Sequence, residues 1–106
     1  MKSKSSFSGR VIEIMKLIPE GRVTTYKEIA RVMDSRAYRA VGSAVGNNPY
    51  APAVPCHRVV RSDGTVGNYS CGVVRKIALL KDEGIDVRGK DRHARIKDFD
   101  SVLFRF

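Results

Sequence analysis

The chain has 106 residues, 42% of them hydrophobic, which suits one compact domain with a modest core and leaves little room for a second. Lys and Arg outnumber Asp and Glu by 20 to 11, giving a formal charge of +9 and a pI near 10.0, the electrostatic footprint of a polyanion binder, although a merely soluble basic surface has the same composition. No apolar run approaches the ~20 residues that span a bilayer, and the opening MKSKSSFSGR lacks an apolar signal-peptide core, so no membrane partner and a cytoplasmic location (nuclear in a eukaryote) are expected.

In chain order, residues 1–6 are a short Lys/Ser start expected to fray. FSGRVIEIMKLIP places Val11, Ile14, Met15 and Ile18 at helical spacing, and Pro19 ends the pattern. EGRVTTY reads as a turn and a short extended piece. Thr25 is a candidate N-cap for a second helix, Tyr26 to Met33, because Glu28 follows three residues later. Asp34 or Ser35 can cap a third helix that runs to about Gly46, and the pair forms a helix-turn-helix pattern. The second of these helices carries the small residues Ala37, Ala40, Gly42, Ser43 and Ala44, suited either to a core or to close approach to a narrow groove.

NNPYAPAVP is a loop, its three prolines excluding helix. CHRVVRSDGTVGNYS reads as a short strand, a turn at Ser62, Asp63 and Gly64, and a second extended piece. GVVRKIALLKDEG is an amphipathic helix stopped by Gly84, and RIKDFDSVLFRF supplies a short strand or a packing strap. The expected fold is mainly α with a small β component, a winged-helix-like domain with a helix-turn-helix and a short β-hairpin.

Two cysteines in an intracellular chain are expected as free thiols, and no Cys/His spacing resembles a zinc site, so neither metal nor cofactor is expected. Cys56 beside His57 is either a small buried apolar residue next to an ordinary histidine or a nucleophile beside its base. Adjacent residues on a strand face opposite ways. The pair can cooperate only if the backbone bends or a water bridges them.

The run Pro55-Cys56-His57-Arg58-Val59, with GRVTTYKEIA, RAVGSAVGNNP, GTVGNYSCG and LLKDEG in order around it, resembles the O6-alkylguanine-DNA alkyltransferases over about Phe7 to Val87. The resemblance implies a single catalytic DNA-binding domain over residues 1–106 that takes an alkyl group from guanine O6 irreversibly onto Cys56. His57 would act through a water as base, Glu83 would orient it, and Asn48, grouped with these catalytic residues, would brace the turn before the active-site loop. Tyr26, the Val59 carbonyl together with that of Cys56, Tyr69 and the Ser70 amide would hold the base. Arg39 would fill the gap left by a flipped nucleotide, while Ala40, Gly42 and Ser43 fit the minor groove, only about 6 Å wide. Double-stranded DNA containing O6-alkylguanine is the implied partner, bound by a monomer.

Cys71 stands where a second glycine is common in the family. The length resembles the single-domain alkyltransferase-like proteins, which bind alkylated guanine without repairing it and typically replace the cysteine that this chain keeps. Three readings stay open: a self-alkylating transferase, a lesion-binding adaptor that recruits excision-repair proteins, and a winged-helix transcription regulator.

Overall fold

Helix α1 (Phe7–Met15) forms where apolar residues recur at helical spacing, and Val11, Met15 and, beyond its end, Ile18 are buried. The structure, a computed structural model, describes residues 7–51, 53–69 and 71–106; the Lys/Ser start expected to fray lies outside them. After α1 the chain tightens, Leu17 N–H donating to Ile14 O and Ile18 N–H to Met15 O, before Pro19 ends the ladder. Strand β1 (Thr24–Thr25) follows and passes directly into helix α2 (Tyr26–Val32). Thr25 caps α2 as its spacing to Glu28 predicts: Thr25 Oγ1 accepts from Glu28 N–H at 3.0 Å.

Helix α3 (Tyr38–Gly46) completes the helix-turn-helix but starts later than a cap at Asp34 or Ser35 predicts. Asp34 adopts a left-handed φ of 53°, and Ser35 Oγ accepts from Ala37 N–H at 3.0 Å. The serine oxygen therefore closes a local turn, in competition with capping, and Ala37 stands at the N-cap. On α3, Val41, Ala44 and Val45 are buried, so Ala44, one of the small residues expected to suit a groove, faces the core: three residues after Val41, it shares that helix face.

The strand expected at CHRVV is mostly a 3-10 turn, Cys56–Arg58, followed by a two-residue strand β2 (Val59–Val60). Arg58 N–H donates to Pro55 O and Val59 N–H to Cys56 O, which curls the backbone before it can extend. Strand β2 pairs in parallel with β1, Thr24 opposite Val59 and Thr25 opposite Val60. The turn at Ser62, Asp63 and Gly64 is present, with Gly64 N–H on Arg61 O and Asp63 Oδ1 accepting from Thr65. Its second arm leaves β2, and Thr65 bridges Arg95 instead.

Helix α4 (Val73–Asp82) ends at Gly84, whose φ of +87° suits a helix stop. The short antiparallel hairpin lies beyond it, β3 (Val87–Arg88) against β4 (Arg95–Ile96). The tail expected as strand or strap does both: after β4 and a short helix α5 (Phe99–Val102), Val23 N–H donates to Val102 O and Thr24 Oγ1 to Phe104 O.

Two buried clusters flank the β1/β2 pair. Val59 belongs with Val11, Met15, Ile29, Val41 and Cys56, whereas Val60 belongs with Val23, Val66, Ile77 and Leu80. Alternation along β2 sends its two valines to opposite clusters, each worth about 1.5–3 kcal/mol on full burial. The Cys56 turn is thereby anchored at the seam between them.

Candidate active site and nucleic-acid interface

The 3-10 turn supplies the bend in the backbone that the adjacent cysteine and histidine require if they are to cooperate. Cys56 is 1% exposed and His57 2%, both turned inward. Glu83, the C-cap of α4, brings its carboxylate to this turn, with His57 Nε2 2.8 Å from Glu83 Oε2. Arg58 donates to the same carboxylate twice, Nε to Oε1 at 2.8 Å and Nη2 to Oε2 at 2.6 Å, and its Nη1 donates to Ile18 O at 2.8 Å. This bidentate grip fixes the plane of the carboxylate.

An ionised carboxylate only accepts, so Nε2 of His57 carries the proton and Nδ1 presents a lone pair. Nδ1 is buried and has no hydrogen-bond partner among the described residues. Burial pushes His57 below its ordinary range, outweighing the hydrogen bond and charge of Glu83 that pull it up. The ring is therefore neutral at neutral pH, as a base must be. Burial alone would raise Glu83, but hydrogen bonds from Arg58 and His57 together hold it below its ordinary range. The carboxylate stays charged and orients the ring.

Tyr26, the first residue of α2, and Tyr69 line a cleft of about 680 Å³ together with Arg39, Gly42 and Ser43 from α3. Burial raises the Tyr26 phenol, with Arg61 opposing and Cys56 adding. Burial likewise raises Tyr69, and its hydroxyl lies beside the Cys56 thiol without a well-formed hydrogen bond. Both phenols remain protonated donors at neutral pH. The structure thus brings Cys56, His57, Glu83, Tyr26 and Tyr69 together, with Arg39, Gly42 and Ser43 at the cleft.

Asn48, grouped with the catalytic residues from the sequence, is buried and braces the loop: Nδ2 donates to Val54 O at 2.9 Å, and Oδ1 accepts from Tyr50 N–H at 3.0 Å. Val59 is buried, and its carbonyl accepts from Lys76 Nζ at 2.8 Å. Ser70 lies outside the described residues. Ala40 is exposed on α3, and Cys71 is an exposed free thiol. A Cβ added at Gly42 or Gly46 would meet nothing within 4 Å, so the protein's own packing does not require glycine there. Among the described residues no group of three or more His, Cys, Asp or Glu side chains could hold a metal ion.

The model of the 6-O-methylguanine DNA methyltransferase DNA-binding domain matches residues 6–85. The chain belongs to the O6-methylguanine DNA methyltransferase family. A methylated-DNA–protein-cysteine methyltransferase of Methanosarcina barkeri is 45% identical over 85 residues, 79% of this chain and 54% of that one. The Mycobacterium tuberculosis OGT solved in complex with DNA is 44% identical with a TM-score of 0.71, covering 74% of this chain and 50% of its own. The S. pombe ATL protein, solved with damaged DNA containing O6-carboxymethylguanine, is 28% identical with a TM-score of 0.82, but matches along 100% of this chain and 98% of its own. The chain spans about half the length of the methyltransferases it matches. Its mainly helical fold with small sheets is the one expected, and the same as that of these methyltransferase-family structures.

Sequence reasoning passed over two residues that the structure makes central in this member of the methyltransferase family. Arg58 stood inside the matched Pro55 to Val59 run without a role, yet it clamps Glu83. Lys76 lay within the expected amphipathic helix without a role, yet it is fully buried. Its signal was positional: Val73, Lys76, Ile77 and Leu80 follow the i, i+3, i+4, i+7 stripe that faces a core.

Proposed function

We propose that the chain is a single-turnover DNA repair transferase that moves an alkyl group from guanine O6 in duplex DNA to Cys56. The observation that carries this reading is the oriented, neutral His57, held by Glu83 at 2.8 Å next to a buried cysteine. A free thiol with a pKa near ~8.5 is only a few per cent ionised at neutral pH, so a base must take its proton. Nδ1 of His57 receives it, through a water. The thiolate then attacks the alkyl carbon in line; the C–S bond forms, the C–O bond breaks, and its electron pair stays on guanine, which takes up a proton to finish as the normal base. The Tyr26 and Tyr69 hydroxyls, kept protonated, donate within the base pocket.

Reaching Cys56 requires an extrahelical base, because the thiol is buried and not on the surface, near the Tyr26 and Tyr69 phenols that line the cleft. The exposed small face of α3 suits minor-groove entry: Gly42 and Gly46 leave space that nothing in the protein fills. Arg39, exposed on the same helix and lining the cleft, is placed to occupy the gap in the stack. Its insertion offsets part of the few kcal/mol that unstacking costs.

One observation favours a second reading, a lesion-binding adaptor that recruits excision repair: the S. pombe ATL protein matches along its whole length. One experiment separates the two. The protein is incubated with a duplex containing O6-methylguanine and weighed intact. The transferase gains one methyl, ~14 Da, as a covalent adduct on the Cys56 peptide, and Cys56→Ala abolishes the gain while retaining lesion binding. Tight binding with no gain in mass would refute the transferase and support the adaptor.

A further inference from the structure

Lys76 directs its hydrogen bonds to backbone carbonyls and not to the thiol, imidazole or carboxylate, and it is a completely buried charge (0% exposed) beside Ile77 on the inner face of α4. Its Nζ donates to Val59 O at 2.8 Å, Val66 O at 2.6 Å and Asn68 O at 3.2 Å. The three protons of an ammonium thus meet three backbone carbonyls. The same nitrogen lies 6.0 Å from the centre of the Tyr69 ring. Burial pushes the ammonium down to about 7, with Cys56 opposing the fall and Arg61 adding to it. An apolar side chain of similar length would fill this volume without desolvating a charge. What the ammonium adds is a fixed direction for three carbonyls.

Those carbonyls belong to two segments that lead to the candidate site. Val59 follows directly on the turn that bears Cys56 and His57, and the 66–68 stretch runs into Tyr69, which lines the cleft. A carbonyl oxygen has two lone pairs, and Lys76 engages one of those on Val59.

We propose that Lys76 is a positioning residue for the substrate base: its ammonium aims the Val59 carbonyl so that the second lone pair accepts from the exocyclic amine of O6-alkylguanine, and it holds the 66–68 stretch so that Tyr69 covers the base. The proposal rests on the reading of the cleft as an alkylguanine site. Lys76 acts through Val59 and Tyr69 and touches no reacting atom.

The test compares duplexes containing O6-methylguanine and O6-methylhypoxanthine, which differ only in that amine, and records both single-turnover rate and duplex affinity. The parent is expected to favour O6-methylguanine about fivefold, the worth of one neutral hydrogen bond. Lys76→Met is expected to bring the ratio close to one, and Lys76→Arg, which keeps charge and donors, to retain more of it. A merely structural lysine would slow both substrates alike; a parental ratio in Lys76→Met overturns the proposal. If the methionine variant unfolds, Lys76→Gln is measured with the same two outcomes. A parent that does not distinguish the two duplexes overturns the Val59 contact and the proposal with it. A parent that binds without reacting sinks the transferase reading alone, and the affinity ratio then decides the role of Lys76.

Discussion

Replacing Glu83 by glutamine removes one charge from the point where His57 and Arg58 converge. The carboxylate accepts from His57 Nε2 at 2.8 Å and from Arg58 at 2.8 and 2.6 Å, so a single amide must serve partners that donated to two charged oxygens. Its oxygen can satisfy one of them, while its NH₂ group faces a donor. A hydrogen bond to a charged group contributes about 1.5–3 kcal/mol, and losing one that orients the base in the transition state slows transfer about 10- to 150-fold. The pH profile gives a second, independent sign. Burial already holds His57 below its ordinary range, so the parental rate stays level as pH falls to ~6.5, the unperturbed imidazole value, and declines only below it. Glu83→Gln withdraws the one upward pull on that ring, so the acid limb moves lower still while the plateau drops. The assay is single-turnover transfer from an O6-methylguanine duplex across pH, with duplex affinity measured alongside. A parental plateau with an unmoved acid limb removes Glu83 from the mechanism; an equal loss of DNA affinity means that the change damaged the fold. Stability gives a further check. His57 and Glu83 both have folded-state pKa values below their unfolded ones, so each contributes stability that is present above the unfolded value and is lost as pH falls through the folded one. Unfolding midpoints of Glu83→Gln are therefore expected to vary less than the parent's below pH ~4.3, the unperturbed carboxyl value.

Gly42→Leu is expected to raise thermal stability modestly, by up to ~1 kcal/mol of helix propensity, because the site has space for a side chain; DNA binding is expected to fall at least tenfold, and parental affinity in a gel-shift assay would remove α3 from the groove. Arg39→Ala is expected to slow repair of duplex DNA far more than reaction with the free base O6-benzylguanine, or O6-methylguanine if the larger base does not enter, since neither needs flipping. Equal slowing of duplex and free base would assign Arg39 to the fold or the active site. Gly89→Ala is expected to destabilise by about 1–3 kcal/mol, because a Cβ there would lie 2.9 Å from Ala94 Cα at a φ of +121°; an unchanged denaturant midpoint would show that the β3–β4 connection relaxes freely.

Local chemistry by itself determined α1, α2 and α4, whose apolar periodicity, the Thr25 cap and the Gly84 stop act within a few residues of where they are read. The residues converging on Cys56 were legible for another reason: the ordered run from Pro55 to Val59, with Tyr26 and Glu83 at matching places, resembles one family, whose model matches residues 6–85. Tertiary structure decided what depends on distant partners. Ser35 has an oxygen suited to a cap, but the connection drew it to Ala37. Val59 and Val60 look like a hairpin arm, yet their partner is Thr24–Thr25, more than thirty positions earlier. Arg58 and Lys76 were hardest to read, because a cation in a sequence reads as solvated until the structure shows which carboxylate or carbonyls replace its water. Here Glu83, from the end of α4, and the carbonyls of Val59, Val66 and Asn68 take that place. Only the packing of α4 against the Cys56 turn brings those acceptors within reach, and no short-range pattern encodes that contact.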